Sequence, residues 1–311
     1  MRPLHVILGA GGAVGTPLAR LLLAKAERLR LVSRSGRGPA EAERLRADLN
    51  DRAAVLSAVD EGATVYLLAG LKYDRKTWRA QWPRIMRNAV EACAAKRARL
   101  LFLDNVYIYG AVDGPMTEQT PVRPSSAKGA ARAETDRILE RASEKGRVTA
   151  LIARAADFYG PWSDATSIPG ILILNRLAAG KRAQVLVSAD TRHSYSYTVD
   201  CAEGLVRLAG AEDAFGQVWH LPTARPAPTG RQFVELAARI LGVEPRLSVM
   251  PRWMLRAGGL FNPMVRELVE MLYQNDRDYI FDSSKFERRF ALDPTRYEDG
   301  VRATVEAMRS G

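Results

Sequence analysis

Residues 4–23 read LHVILGAGGAVGTPLARLLL. A short apolar run, LHVILG, has the length and composition of a buried strand, and the stretch after residue 13 carries apolar residues at helical spacing. Between them Gly9, Gly12 and Gly15 stand three apart. In a strand–turn–helix unit each glycine has a separate job. Gly9 permits the tight turn, and Gly12 lets the backbone approach a pyrophosphate with no Cβ in the way. Gly15 lets the helix lie close to the sheet, while the helix N-terminus faces the anion. A glycine triplet alone is weak evidence; the same triplet directly after a strand and opening a helix is specific for a dinucleotide site.

Outward from this unit, the first two hundred residues alternate between β-rich apolar runs and amphipathic stretches. Strands are expected at 4–9, 29–33, 44–48, 63–68, 99–104 and 148–154, with a seventh at 216–221. Helices are expected at 13–26, 51–60, 75–96 and 127–144. Near-continuous apolar strands between helices predict an α/β fold: a doubly wound parallel (Rossmann) sheet covered on both faces. From about residue 160 Pro, Gly and Ser become frequent. Thr229 is placed to cap a helix over 229–242, and 250–274 reads as two helices broken at Asn262-Pro263. There Leu260, Phe261, Met264, Leu268 and Met271 form an apolar stripe, expected to be the core face of a small domain. The expected division is a dinucleotide-binding domain over 1–160 with a returning segment at about 199–221, and a smaller C-terminal substrate-binding lobe over 161–198 and 222–311.

The 311 residues are 47% hydrophobic and 26% charged, ordinary for a globular chain with a full core. The net charge is +11, but the arginines are scattered singly and form no block, so no nucleic-acid partner is expected. The longest apolar runs, such as VYLLAGL at 65–71, are too short to span a bilayer, so no membrane partner is expected either. Met1-Arg2-Pro3 leads straight into a strand-like run, so no signal peptide is expected. Cys93 and Cys201 are isolated and read as buried thiols in a cytoplasmic protein. His5, His193 and His220 have no metal-ligand neighbours at useful spacing, so no metal is expected.

The second strand ends LVSRSGR. An acidic side chain there usually holds a ribose with two free hydroxyls. Here the position is Arg34, flanked by Ser33 and Ser35, with Arg37 near. A guanidinium suits a 2′-phosphate, so NADP(H) is preferred over NAD(H).

In order along the chain come the GxxGxxG spacing, Ala47-Asp48-Leu49, Ala69-Gly70-Leu71-Lys72, Val106-Tyr107-Ile108-Tyr109-Gly110 and Asp157-Phe158-Tyr159-Gly160-Pro161. With HSYSYTVD at 193–200, this resembles an extended short-chain dehydrogenase/reductase of the NAD-dependent epimerase/dehydratase family over nearly the whole length. The resemblance implies that Ala13 and Val14 line the pyrophosphate and that Asp48 and Leu49 flank the adenine. It implies that Ala69, Gly70 and Leu71 pass beside the nicotinamide ribose, that Lys72 reaches cofactor oxygens and that Phe158 lies at the site. A homodimer through the 75–96 and 127–144 helices is common in such families.

The chain departs from the family where proton chemistry is done. The usual Ser position holds Asn105. Anchoring the next helix on Arg132-Ala133-Glu134 puts Ser126 at the usual Tyr position and Ala130 at the Lys position; a two-residue slip brings Lys128 to the Lys position instead. No slip supplies a Tyr within the helix. Three readings follow. In the first, a rewired oxidoreductase acts on a small carbonyl or hydroxyl compound, with Asn105 donating to the oxygen, Tyr107 or Tyr73 as acid, and Lys128 or Arg132 as positive charge. The second is an NADP(H)-binding sensor without catalysis. The third is a sugar-type epimerase or dehydratase that recycles hydride internally. A nucleotide-sugar substrate is weakened by His193 at a position where an Arg often clamps a diphosphate, and by the carboxylate of Asp157. Phe158, Trp162, Trp253 and Phe261 are expected as apolar walls of the substrate pocket.

Overall fold

The structure is a computed structural model, and it describes residues 3–310. The elements in chain order are β1 (His5–Leu8), α1 (Gly15–Ala24), β2 (Leu29–Ser33), β3 (Glu43–Arg46), α2 (Arg52–Ala58), β4 (Thr64–Leu67), α3 (Arg75–Ala95), β5 (Arg99–Asn105), α4 (Ala127–Glu144) and β6 (Thr149–Ala155). Then follow β7 (Asp157–Tyr159), α5 (Asn175–Ala178), β8 (Ala183–Leu186), β9 (Tyr195–Tyr197), α6 (Thr198–Ala209), β10 (Val218–His220), α7 (Gly230–Leu241), β11 (Leu247–Met250), α8 (Arg252–Phe261), α9 (Pro263–Val269), α10 (Ser284–Phe290) and α11 (Tyr297–Ser310).

Seven strands form one sheet in the order β10-β6-β5-β4-β1-β2-β3, and every pairing is parallel. Strand order reverses between β1 and β4, the point at which a doubly wound sheet opens a crevice at its carboxyl edge. Side chains such as Val6, Val65, Leu100 and Phe102 bury one face beneath α2, α3 and α4. Ile7, Tyr66, Leu101 and Leu151 bury the other beneath α1 and α6. The helices start where capping residues allow: Asp51, Asp74 and Ser126 accept backbone N–H groups at the first turns of α2, α3 and α4. Thr229 and Gln232 make a full capping box on α7.

The returning strand β10 joins the edge of the main sheet beside β6. After residue 156 the chain builds two small parallel pairs, β7 with β9 and β8 with β11. A third core under α7 and α11 holds Tyr159, Tyr195, Phe233 and Val301. The apolar stripe at 260–271 differs from expectation. Met271 is buried and Leu268 half-buried, but Leu260, Phe261 and Met264 stand in solvent. Nothing in the described chain covers that side of the α8–α9 pair.

Candidate active site

Two hollows open at the carboxyl edge of the sheet, joined by the loop that follows β4. The larger is a cleft of about 400 Å³ at the switch point, walled by Gly9, Gly12, Ser33, Arg34, Asp48, Leu49, Ala69, Gly70 and Leu71. Gly9 has φ +96°, and a Cβ there would lie 2.6 Å from the Cα of Ala69, so the turn tolerates glycine alone. At Gly12 an added Cβ meets nothing closer than the Gly9 carbonyl oxygen at 3.8 Å; the space before the first turn of α1 is open. That open cradle fits a pyrophosphate. Arg34 is exposed at the end of β2. Ser33 Oγ lies 3.3 Å from Ser35 Oγ and accepts the Gly36 N–H at 3.1 Å, which folds the turn back beneath Arg34. Asp48 accepts the backbone and side-chain N–H groups of Asn50 at 2.9 and 3.0 Å, and these bonds hold its carboxyl below the usual range.

Five residues expected at a cofactor lie outside the walls of this cleft. Val14 and Gly15 are buried beneath the turn, with Ala13 half-buried beside them. Lys72 is exposed on the loop, where its carbonyl accepts the Trp78 indole N–H at 3.0 Å. Phe158 packs on the core under α1 and α6.

The second hollow is a cavity of about 30 Å³ among Tyr73, Tyr107, Asp157, His193, Tyr195, Leu268, Met271 and Gln274. That is room for about one water molecule. The loop after β4 supplies both hollows, with Leu71 in the cleft wall and Tyr73 in the cavity wall. Asn105 ends β5 and caps the following turn: its Oδ1 accepts the Tyr107 N–H at 3.1 Å. Its amide nitrogen has no partner in the described chain. The Tyr107 ring stacks on Trp78 at 6.0 Å, and its hydroxyl donates to Asp157 Oδ1 at 3.4 Å. The other oxygen of Asp157 lies 3.0 Å from His193 Nε2, and His193 Nδ1 lies 3.2 Å from the carbonyl oxygen of Gln274. A carbonyl accepts only, so Nδ1 carries a proton. Burial pushes the Tyr107 hydroxyl well above the usual phenol range, and Tyr73 and Asp157 add to the effect. The phenol therefore stays protonated at neutral pH.

The residues expected to bring positive charge are otherwise engaged. Lys128 is fully buried and donates to the Glu267 carbonyl at 2.9 Å, to Glu267 Oε2 at 2.7 Å and to Glu270 Oε1 at 2.5 Å. The same two carboxylates accept the Arg75 and Ala127 backbone N–H groups that open α3 and α4. Arg132 lies against Trp82 and Phe102 and pairs with Asp104. Arg154 joins Asp104, Asp136 and Tyr109 in the same buried network. Ser126 serves as the N-cap of α4. Trp253 and Phe261 are exposed and line neither hollow, and Trp162 lies under the Arg20 guanidinium at 4.6 Å.

Residues 5–220 match the NAD dependent epimerase/dehydratase family. The chain belongs to that family. It is 29% identical over 262 residues to dTDP-6-deoxy-L-talose 4-dehydrogenase (NAD(P)(+)) of Kitasatospora kifunensis, covering 79% of this chain and 81% of that protein. It is also 29% identical over 255 residues to a 3-diazoavenalumate denitrifying reductase of a Streptomyces species, covering 77% and 82%. The UDP-glucose 4-epimerase of Thermus thermophilus, solved in complex with NAD, superposes with a TM-score of 0.81 at 18% identity, covering 99% of each chain. At that identity the superposition establishes the fold.

Within this family member, sequence reasoning passed over three features. Gly11, at φ +89°, forms the turn beside Gly9 and lines the cleft. Asn50 and Gln81 line it too and bond each other at 3.3 Å. Above all, Asp157 and His193 were each weighed alone, and their partnership was missed. They meet because Asp157 pairs with Tyr195 in the β7–β9 register, and no local pattern announces that pairing.

Proposed function

We propose that the chain is an NADP(H)-dependent oxidoreductase that reduces a small, non-nucleotide carbonyl compound or oxidises the corresponding alcohol, with Tyr107 as its proton donor. The observation that carries this reading is the Tyr107–Asp157–His193 chain, one loop away from the glycine-walled cleft.

Gly9 and Gly12 would admit the pyrophosphate, and Arg34 with Ser33 would hold a 2′-phosphate. Reduced nicotinamide supplies the hydride when bound. The rest of the work belongs to this chain's residues. Asn105 offers a free amide N–H to the oxygen that gains charge. Tyr107, which lines the cavity, gives that oxygen a proton. Solvent then reprotonates the phenolate oxygen, which Asp157, itself held by His193, keeps in position. In the alcohol-oxidising direction the same path runs backwards. A carboxylate at position 157 opposes a diphosphate, which favours a neutral or cationic substrate over a nucleotide sugar.

The test is NADPH consumption against a panel of small aldehydes and ketones. Tyr107→Phe is expected to lower kcat about 10²- to 10⁴-fold with NADPH affinity unchanged. His193→Gln, which removes the ring nitrogen 3.0 Å from Asp157, is expected to lower kcat with NADPH affinity unchanged. An unchanged rate in Tyr107→Phe removes the assignment.

A further inference from the structure

Ten large apolar side chains stand exposed in the described chain, and five of them, Trp253, Met254, Leu260, Phe261 and Met264, fall between residues 253 and 264. Phe261 is 88% exposed, Leu260 77% and Trp253 71%. This is a contiguous feature of the fold, since α8 and α9 form a tight hairpin. Gly259 lies so near α9 that an added Cβ would stand 3.1 Å from the Cα of Arg266. Asn262 caps α9 at the bend. The apolar side chains are thus presented by a close-packed tip.

The charge around the tip has one sign. Residues 245–266 contain four arginines, at 246, 252, 256 and 266, and no Asp or Glu. Arg256 and Arg266 are exposed, with no ion pair in the described chain, while Arg252 pairs with Asp276. Of the flanking acids, Glu267 and Glu270 turn inward onto Lys128, and the exposed Glu244 lies before β11, outside the hairpin. An apolar patch rimmed by exposed arginines is complementary to an apolar layer beneath an anionic one. A second copy of the chain is a poor occupant: a two-fold contact would set Arg256 and Arg266 near their own mates with no acid of the hairpin to receive them.

We infer that the α8–α9 hairpin docks on an anionic lipid bilayer, with Leu260, Phe261, Met264 and Trp253 entering the headgroup–acyl boundary and Arg256 and Arg266 at the level of the phosphates. The ten residues of α8 span about 15 Å, half of a bilayer's hydrocarbon core, so the hairpin lies in the interface. The sequence expectation of no membrane partner concerned a span, and a surface contact requires none. Leu268, one turn beyond Met264 on α9, already lines the cavity, so the docked face adjoins the candidate active site.

The test is flotation of the full-length protein with phosphatidylcholine vesicles, with and without phosphatidylglycerol, at low and high salt. Flotation is expected with the anionic vesicles and is expected to weaken as salt rises. The double variant Leu260→Ser/Phe261→Ser is expected to partition about a hundredfold less or weaker still. Arg256→Glu with Arg266→Glu is expected to cost about tenfold or more on anionic vesicles alone. All four positions are exposed, so an unchanged melting temperature shows that the variants fold. Absence of flotation overturns the inference, as does equal binding to neutral vesicles. A concentration-dependent dimer dispersed by Phe261→Ser overturns it in favour of a second copy, and a stable complex with a protein overturns it in favour of that partner.

Discussion

Replacing Arg34 by alanine isolates the choice between the two nicotinamide dinucleotides. Arg34 is exposed, makes no ion pair in the described chain, and projects from the end of β2 at the wall of the larger cleft. Its loss leaves the fold untouched, so any change in affinity reports on the ligand. A hydrogen bond to a charged group contributes about 1.5–3 kcal/mol when one partner is removed, equivalent to about 10- to 100-fold in affinity. Solvent screens an exposed site, and Arg37 and Arg46 remain nearby. Arg46 is placed here by the β2–β3 register, in which it pairs with Ser33. The expected loss is therefore near the lower figure, about tenfold for NADPH, with NADH affinity unchanged within about twofold. Tryptophan fluorescence or calorimetric titration of both dinucleotides with wild type and Arg34→Ala measures it. The NADPH loss is expected to shrink at high salt, because the removed contact is ionic. Equal losses for NADPH and NADH would refute the assignment of Arg34 to the 2′-phosphate, and so would a wild type that binds NADH more tightly.

Two glycines offer a contrast. Gly9→Ala sets a Cβ against the Ala69 backbone at a positive φ and is expected to lower both the melting temperature and NADPH affinity, whereas Gly12→Ala keeps the melting temperature and loses affinity, because its Cβ fills the ligand's space alone. His220 accepts the Tyr109 hydroxyl at Nε2 (2.7 Å) and faces the Asp282 carbonyl with Nδ1 (2.8 Å), so it is neutral, and burial lowers its pKa to about 3. A depressed histidine stabilises the fold fully above its unfolded value, about 6.5, and the contribution disappears as pH falls from there towards 3. Denaturation at pH 7 and pH 4.5 is expected to show the wild type losing up to about 2–3 kcal/mol more than His220→Gln. Lys128→Met removes the buried cation between Glu267 and Glu270 and leaves only the part-exposed Arg75, 3.5 Å from Glu267 Oε1, so it is expected to destabilise the protein by about 3 kcal/mol. Unchanged stability with weakened NADPH binding would return Lys128 to the cofactor.

The elements that could be read from the sequence are those whose determinants are adjacent in the chain. The β1–turn–α1 unit is set by an apolar run and glycines within twenty residues, and the parallel sheet by repeated short strands that are apolar throughout. Interactions set by distant partners were not legible. Lys128 is drawn away from its expected place by carboxylates 139 and 142 residues later. Asp157 reaches His193 across 36 residues through a strand pairing of three residues. The 260–271 stripe exposes a different limit. Helical spacing says which side chains share a face but not whether anything covers it, and one stripe proves to be part cavity wall and part open surface.

The same division explains why the cofactor cleft reads more clearly than the reaction. The cleft is built from backbone at strand ends and from glycines, all between residues 9 and 85, inside the stretch that matches the family. The cavity draws one wall from Tyr73, Tyr107, Asp157 and His193 and the other from Leu268, Met271, Gln274 and Asn275, which lie beyond residue 220 where the family match ends. The Gln274 carbonyl fixes the His193 tautomer, and the Glu267 and Glu270 carboxylates fasten α9 to the openings of α3 and α4. Residues beyond the stretch that the family model matches therefore set the His193 tautomer and close one side of the cavity.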